Sequence, residues 1–475
     1  MSAPSGHSPT SDQPRLLLHG GRWAALIPAV VLIAVMCVLS IAERAAISAF
    51  WVGGLVALVV GMALAVNRTA YAQTVVRGLT DRTGAVVILA FIFAGVFGTI
   101  MKAAGLVDGL LWVGLQTGLT GAAFTVLAFL LACVFAAGTG TSVGTVLAMV
   151  PVLYPAGVAL GADPTMLAVA LIAGGAFGDN IAPISDTTVT SAFTQDAEMG
   201  DVVRSRLPLA LTAAAVAVVV FALTGGGGEV TATDTGELSA LGLIQLIPFA
   251  LVLILAVLRR HIFVALTWGI VAAVLIGAVT GQLSLGEVFS IPAERGESTG
   301  LLEDGIGGVT GVVMLVLFIM ALGRVLAESG MMDAVLERLE RSAARGVRSA
   351  ELTIIVVTLI FTVPLGANAP AILLVGPTIA KPLGSQYSLS PARRANLLDC
   401  SACTVFYMLP WHNAVIVWFA TVSTVAAEAG IEGPGIGAAF LNPYAWAMLV
   451  VIVVSAITGW NRSYSKVESA EPVAP

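Results

Sequence analysis

Long apolar runs fill most of this 475-residue chain and leave it few ways to fold in water. About ten of them approach the roughly 20 apolar residues that an α-helix needs to cross a lipid bilayer. Only 11% of the residues are charged, whereas a water-soluble domain carries about 25%. We therefore predict an all-α polytopic membrane protein with about 11 to 13 crossings.

The apolar spans divide into two groups around a short polar stretch. We predict a first transmembrane half at 23–225, an extracytoplasmic linker at 226–240 and a second transmembrane half at 241–460. No cleavage site typical of signal peptides follows the first apolar run, so we expect that run to be retained as a helix. The two ends of the chain, 1–22 and 461–475, are predicted to be cytoplasmic tails.

Basic residues orient these helices, because short loops rich in lysine and arginine stay on the cytoplasmic side of the membrane. The loops at 229–237 and 287–304 are mainly acidic and fit the opposite side. This pattern predicts a multi-pass protein of the bacterial inner (plasma) membrane with both termini in the cytoplasm. The amphipathic segment 331–345 is expected either along the inner membrane surface or as a solvated helix. The basic positions are Arg68, Arg77, Arg82, Arg204, Arg206, Arg259, Arg260, Arg338, Arg341, Arg345, Arg348, Arg462 and Lys466.

The chain resembles itself at an offset of 227 residues. Three prolines and a glycine recur at this spacing in similar apolar surroundings, and a Phe-Ile pair recurs as well. Charges on the flanking loops place the matching segments in opposite directions, so we predict two inverted repeats with broken or re-entrant helices. Such repeats are typical of transporters that alternate access to one central site. The matched pairs are Pro155 and Pro382, Gly157 and Gly384, Pro164 and Pro391, Pro183 and Pro410, and the dipeptides Phe91-Ile92 and Phe318-Ile319.

Polar residues interrupt the apolar sequence most sharply at 174–188, which reads GGAFGDNIAPISDTT. Pro183 removes a backbone donor and crowds the preceding turn, so we expect the helix to break near Gly178 and Pro183. Carboxylate, hydroxyl and freed carbonyl oxygens are ligands for hard cations such as sodium. Burial favours the neutral form of a carboxyl group, so one acid can hold either a proton or a sodium ion. The candidate ligands of sodium and protons are Asp179, Asn180, Ser185, Asp186, Thr187 and Thr188.

A polar loop outside the membrane is the alternative interpretation of this segment. Apolar residues lie on both sides of it, which favours a position inside the membrane. Acids inside a membrane are costly and are functional candidates by default, so we favour an ion site.

The second half carries a matching segment at 398–413, which reads LDCSACTVFYMLPWHN. Asn413 falls opposite Asp186 at the repeat offset, and Pro410 is the second predicted helix break. His412 either carries a proton near neutral pH or is a satisfied histidine at a helix end. The candidate ligands in this segment are Asp399, Ser401, Thr404 and Asn413.

Two stretches of small residues, 136–144 and 363–370, also correspond at the repeat offset. Both interrupt apolar sequence with residues that break helices, and Pro370 is one of them. They either line the ion site or allow helices to pack closely through small side chains. The candidate ligands in them are Thr139, Thr141, Ser142 and Asn368.

These segments resemble the signatures of NhaC-type sodium/proton antiporters of the ion transporter superfamily. The run at 174–188 is similar to the family pattern G-D-x-L/I-S-P-I/L-S-D-T-T, and 397–411 is similar to the looser pattern L-D-x-F-S-C-x-x-x-x-x-I-P-Y/W. The resemblance covers about 23–460 of the chain. Ala182 stands where the family often has serine, and His412-Asn413 follow the Pro-Trp pair. Either departure bears on ion choice or stoichiometry.

The resemblance implies two inverted repeats with re-entrant or unwound elements, often with a scaffold domain that supports a homodimer. It also implies exchange of sodium for protons, with Asp179 and Asp186 matching the family's two acids and Asp399 matching the acid of the second half. Sodium near Asp179 and Asp186 is then a transported substrate, as is the proton. We expect no cofactor and no nucleic-acid partner, and we expect the lipid bilayer as surroundings.

An exchanger of a small organic solute, such as malate against lactate or an amine, is the alternative, since some relatives act in this way. Buried arginines would favour an organic anion, because carboxylates bind guanidinium groups in pairs of hydrogen bonds. The broken segments contain none. We do not expect an enzyme: the metal motif H-E-x-x-H and the serine motif G-x-S-x-G do not occur. Ala176 also replaces the first glycine of a G-x-G-D protease motif.

Overall fold

Helices make up nearly all of the computed structural model, which describes residues 16–41, 47–80, 82–183, 185–230, 239–258, 260–289, 300–331 and 346–465. In the first half the elements are α1 (Leu26–Ile41), α2 (Ile47–Leu64), α3 (Arg68–Leu79), α4 (Arg82–Ala103), α5 (Leu106–Thr117), α6 (Gly121–Thr139), α7 (Ser142–Ala159), β1 (Leu160–Ala162), α8 (Pro164–Ile181), α9 (Asp186–Thr194), α10 (Met199–Thr224) and β2 (Gly226–Val230). In the second half they are α11 (Leu246–Val257), α12 (Ile262–Thr280), α13 (Leu285–Val288), α14 (Leu301–Glu328), α15 (Val347–Leu365), α16 (Asn368–Val375), a π-helical turn at Gly376–Ala380, α17 (Lys381–Gln386), α18 (Pro391–Val405), α19 (Asn413–Ala429) and α20 (Pro443–Thr458). Three short 3-10 helices complete the described elements, at Arg22–Ala25, Ala240–Gln245 and Ile436–Leu441.

The long helices have the length and composition of membrane spans. Within the described residues six apolar stretches are long enough to cross a bilayer, and α4 with α5, bent by 60° between them, makes a seventh if it is counted as one broken span. Five shorter apolar helices of 10 to 17 residues accompany them. The chain is therefore an α-helical multi-pass membrane protein, whereas its number of crossings stays a prediction.

The internal repeat is visible in the bounds of the helices. The stretch from α6 to α9 recurs as the stretch from α15 to α19. The first residues of α8 and α18 are Pro164 and Pro391, and those of α9 and α19 are Asp186 and Asn413. Both pairs keep the offset predicted from the prolines; in α8 and α18 a proline at the first helical position favours the start of the helix there.

The two copies run in opposite directions beside α10. This helix has 26 residues, so it is about 39 Å long. The start of α8 lies at its last turn, where the Asp163 amide donates to the Gly225 carbonyl at 3.0 Å. The start of α18 packs at its first turns, where Ala395 contacts Val202 and Asn396 Nδ2 donates to Ser205 Oγ at 2.8 Å. The predicted inverted repeats are therefore confirmed.

These contacts define two ends of the molecule. The strand face is the end where β1 pairs antiparallel with β2, just beyond the last turn of α10. The basic face is the opposite end, where Asn461 Nδ2 donates to the Ser205 carbonyl at 2.6 Å and where Arg204 and Arg462 lie. The charge pattern predicts that the basic face is cytoplasmic.

Some predicted features lie outside the described residues. These are most of the amphipathic segment 331–345, the basic residues Arg259, Arg338, Arg341, Arg345 and Lys466, and parts of both acidic loops, at 231–238 and 290–299.

Candidate functional site

The first helix break lies between α8 and α9, around Ala182 and Pro183. Gly178 was predicted to take part in the break, and that prediction is wrong, because α8 continues to Ile181. A β-carbon at Gly178 would collide with Ala136. The glycine is needed for close packing of α8 against α6, and the proline is what ends the helix.

The break leaves the carbonyl oxygen of Asp179 without its usual helical donor. Pro183 lies four residues later and has no N–H to donate to it. The hydroxyls of Thr187 and Thr188 donate to it instead, at 3.4 and 3.3 Å. Ser185 Oγ lies 3.0 Å from Thr187 Oγ1, so three predicted hydroxyl ligands gather at the end of α8.

The carboxylate of Asp179 is buried, with 3% of its surface exposed, and is surrounded by uncharged donors. Ser142 donates to it twice, from Oγ at 2.8 Å and from the amide at 3.2 Å. Ser185 Oγ donates at 3.4 Å, and the Tyr407 hydroxyl donates a short hydrogen bond. Among the salt bridges of the described residues none involves Asp179.

The carboxylate of Asp399 is equally buried but has a cation beside it. Arg206 Nη1 lies 2.6 Å from Asp399 Oδ2, and both side chains are completely enclosed. Asn180 Nδ2 donates to the other carboxylate oxygen at 3.1 Å. Arg206 Nη1 also donates to the Asn180 carbonyl at 2.7 Å, and Nε donates to Asn396 Oδ1 at 3.0 Å. This ion pair joins α8, α10 and α18 at the junction of the two repeats.

Asp186 differs from these two acids because its side chain is exposed. It lies in the first turn of α9, where the partial positive charge of a helix N-terminus favours a carboxylate. Its Oδ1 accepts a hydrogen bond from the Thr187 amide at 2.8 Å. Asp186 therefore lies beside the enclosed cluster but is itself exposed.

The second helix break lies between α18 and α19 and contains Pro410, as predicted. Two of the predicted ligands in this half are engaged within their own helix: Ser401 Oγ donates to Leu397 O at 2.6 Å, and Thr404 Oγ1 donates to Ser401 O at 2.7 Å. Asn413 Oδ1 has no hydrogen-bond partner among the described residues. His412 is buried at the start of α19, with Nε2 at 3.1 Å from the Val363 carbonyl.

The two stretches of small residues both form turns at helix junctions. In the first, Ser142 contacts Asp179, whereas Thr139 Oγ1 donates to Phe135 O and Thr141 accepts from the Gly144 amide as a helix cap. In the second, Asn368 begins α16 and its Nδ2 donates to Cys403 Sγ at 3.6 Å. Pro370 lies in the first turn of α16 and does not break it; the break is at Gly366 and Ala367.

Four residues at the site were missed by the sequence analysis. Arg206 was taken as a charge of a cytoplasmic loop, although the apolar run that follows it places it on a membrane helix. Tyr407 and Tyr444 were not among the candidates, yet both hydroxyls reach the site, the latter donating to Asn180 Oδ1 at 2.8 Å. Cys403 Sγ donates to Thr187 Oγ1 at 3.8 Å. For Tyr407 the sequence offered one signal: this residue lies three positions before Pro410, at a predicted helix break.

The broken segments contain no arginine, but three arginines outside them are buried. Arg206, Arg393 and Arg394 are 0%, 1% and 6% exposed. Arg393 pairs with Glu351 at 2.7 Å, and Arg394 donates to Gln195 Oε1 at 3.0 Å. Each of the three buried guanidinium groups thus already forms an ion pair or a hydrogen bond with another residue of the protein.

Comparison with known proteins agrees with this architecture. The family described as the Na+/H+ antiporter family matches residues 14–226 and 229–460. The chain is 22% identical to the "Malate-2H(+)/Na(+)-lactate antiporter" of Bacillus subtilis over 436 residues, which is 88% of this chain and 89% of that protein. It is 28% identical to the "Na(+)/H(+) antiporter NhaC" of Alkalihalophilus pseudofirmus, over 62% of this chain and 66% of that protein. It is 24% identical to the "Arginine/ornithine antiporter ArcD" of Halobacterium salinarum, over 78% of each.

Proposed function

The chain belongs to the Na+/H+ antiporter family, and on that basis we propose that it exchanges cytoplasmic sodium for external protons by alternating access, with Asp179 as the central carrier. One observation supports this role for Asp179 above all. It is a buried acid at the repeat junction whose hydrogen-bond donors, Ser142, Ser185 and Tyr407, are all uncharged. A buried carboxylate without a counter-ion is costly unless it is protonated or binds a cation.

The exchange follows from this competition. In the state open to the cytoplasm, sodium displaces the proton of Asp179 and binds to its carboxylate and to hydroxyl oxygens of Ser142 and Ser185. The loaded site then opens to the other side, where a proton displaces sodium. Asp186 is exposed and at the same break, so we assign it the transfer of ions and protons between water and Asp179.

Arg206 gives Asp399 a different role. An aspartate paired at 2.6 Å with an enclosed guanidinium keeps its negative charge without help from a transported ion. We propose that the ion pair of Asp399 and Arg206 holds the two repeats in register around Asp179.

Exchange of an organic solute is the second candidate, supported by the malate/lactate and arginine/ornithine antiporters among the relatives. The occupancy of the buried arginines argues against an organic anion. Arg206 and Arg393 pair with Asp399 and Glu351, so neither is free to bind a substrate carboxylate.

The test is sodium-dependent proton movement in everted membrane vesicles. Sodium should collapse a preformed pH gradient with the unmodified protein and not with Asp179→Asn, whereas Asp186→Asn should slow the response. Asp201→Asn, which alters an exposed acid in the first turn of α10, serves as the matched control and should retain activity.

Two outcomes would contradict the proposal. Full activity of Asp179→Asn would remove the acid from the mechanism. A response to sodium that appears only after malate, lactate or an amino acid is added would identify a solute exchanger.

A further inference from the structure

A cavity with a mainly apolar lining and a few charged and hydroxyl side chains lies between α4, α7, α14 and α19, away from the residues that surround Asp179. Its volume is about 50 Å³, which is room for a few water molecules or one partly hydrated ion. Lys102 Nζ lies 3.6 Å from Glu428 Oε2 at the cavity, and Asp304 lines it as well. Pro155, another lining residue, is one turn before β1, so the cavity lies toward the strand face.

One wall of the cavity is formed by α7, in which two prolines provide no backbone N–H. Leu147, Pro151 and Pro155 are four residues apart and all line the cavity. Pro151 has no N–H for the carbonyl of Leu147, and Pro155 has none for the carbonyl of Pro151. The carbonyls of Leu147 and Pro151 therefore lack the N–H donors that a helix normally provides. Carbonyl oxygens in apolar surroundings need a donor or a cation.

The hydroxyls in the cavity also present acceptors. Thr99 Oγ1 donates its hydrogen to the Gly95 carbonyl at 3.0 Å, and Thr421 Oγ1 donates to the Val417 carbonyl at 2.8 Å. Each oxygen then has only lone pairs left for a ligand. Freed carbonyls, hydroxyl lone pairs and two carboxylates form a set of ligands that suits a hard cation.

The cavity is linked to the central site through α7. Ser142, the first residue of this helix, donates to Asp179, and Leu147 follows five residues later. Five residues of α-helix span about 8 Å. The inner end of the cavity is thus separated from the surroundings of Asp179 by about one and a half turns of α7.

We propose that this cavity is a second binding site for the transported monovalent cation, occupied on the way between the strand face and Asp179. The inference rests on the proposed sodium exchange and adds a site to it. Two carboxylates and one ammonium give the site a net charge of −1, which attracts a cation. The Lys102 ammonium competes with sodium for the Glu428 carboxylate, because it lies beside that carboxylate in the cavity.

The competition of Lys102 with sodium predicts opposite effects for two neutral substitutions. Glu428→Gln should raise the KM for sodium added at the strand face by about three- to tenfold, because one attracting charge is lost. Lys102→Gln should lower the same KM, because it removes the competing cation. Initial rates measured in right-side-out and in everted vesicles separate the two faces, and KM for sodium at the basic face should change little.

The matched control is Glu432→Gln, an exposed acid just beyond α19 that does not line the cavity. It should leave both KM values unchanged. A KM shift in the same direction for Lys102→Gln and Glu428→Gln would show that their ion pair only holds α4 against α19, and would overturn the proposal. Unchanged KM values in both variants would overturn it as well.

A binding measurement distinguishes failure of this inference from failure of the proposed exchange. Sodium should still raise the thermal unfolding temperature of purified Asp179→Asn, because the cavity binds it independently. Adding Glu428→Gln to that variant should abolish the rise. If Asp179→Asn alone abolishes the rise in unfolding temperature, the cavity binds no sodium. This inference then fails, although exchange by the unmodified protein can still be confirmed. If instead the unmodified protein moves no protons in response to sodium while this stabilisation persists, the proposed exchange fails and the cation site stands.

Discussion

Asp179 and Asp399 are two buried carboxylates in one protein, and the charge beside each decides what it can do. Asp399 lies 2.6 Å from the Arg206 guanidinium, whereas Asp179 accepts hydrogen bonds from hydroxyls and one amide. Sequence analysis identified both acids as candidates, because acids inside apolar sequence are rare. It could not rank them, since the partner of Asp399 lies 193 residues away along the chain.

The Arg206–Asp399 pair leads to a prediction about stability. Asp399→Leu leaves an unpaired guanidinium in an enclosed site and should destabilise the protein by about 3–5 kcal/mol, and Arg206→Met should act similarly. The double variant removes both charges and should be more stable than either single one. Thermal unfolding of the purified proteins in detergent measures this order, and additive losses in the double variant would contradict it.

Tyr407 leads to a prediction about ion binding. Its hydroxyl donates to Asp179, and a hydrogen bond to a charged group contributes about 1.5–3 kcal/mol. Tyr407→Phe should therefore raise the KM for sodium by about tenfold. Tyr444→Phe is the matched control, because that hydroxyl donates to the amide oxygen of Asn180 and the variant should leave the KM nearly unchanged. Equal effects of both substitutions would indicate general loosening of the site.

At the scale of helices, prolines were better signals than glycines, but not uniform ones. Pro183 and Pro410 lie in the breaks as predicted, where the missing N–H removes a helical hydrogen bond, whereas Pro370 lies in the first turn of α16 and Pro151 and Pro155 lie within α7. Gly178 lies within α8, because a glycine ends a helix only where the chain must turn, and here it serves packing against Ala136. Ser401 and Thr404 show the same limit: their hydroxyls bond within α18, which the sequence does not reveal.

The contact of α8 with α6 can be tested through its glycine. Gly178→Ala places a methyl group against Ala136 and should lower the thermal unfolding temperature and the yield of folded protein. Gly323→Ala is the matched control, since a β-carbon there meets nothing within 4 Å; it should be neutral or slightly stabilising, because alanine favours helix by about 1 kcal/mol. Equal behaviour of the two variants would mean that α6 and α8 separate easily.

For the molecule as a whole, the repeat offset was the most informative signal in the sequence. It paired Pro164 with Pro391 and Asp186 with Asn413, and in the structure each of these four residues begins a helix. The contacts of α10 with both copies could not be foreseen, because they depend on tertiary packing. The same applies to the cavity beside α7.

The orientation of the molecule leads to a prediction about labelling. Glu229→Cys lies on the exposed strand β2 and Glu198→Cys at the exposed start of α10. A membrane-impermeant thiol reagent should label the first only in right-side-out vesicles and the second only in everted ones. The unmodified protein, which has four cysteines, gives the background; three of them, Cys133, Cys400 and Cys403, are buried. The reverse pattern would place the basic face outside.

The enclosed pair of Arg206 and Asp399 also bears on how the carrier responds to voltage. In the mechanism proposed above, Asp399 stays paired with the guanidinium through the cycle, and Asp179 and Asp186 trade protons for sodium. An exchange of two protons for one sodium would carry one net positive charge inward in each turn. A membrane potential of 100 mV, negative inside, then drives each turn with about 2.3 kcal/mol. Such a carrier would extrude sodium even where the pH is equal on the two sides.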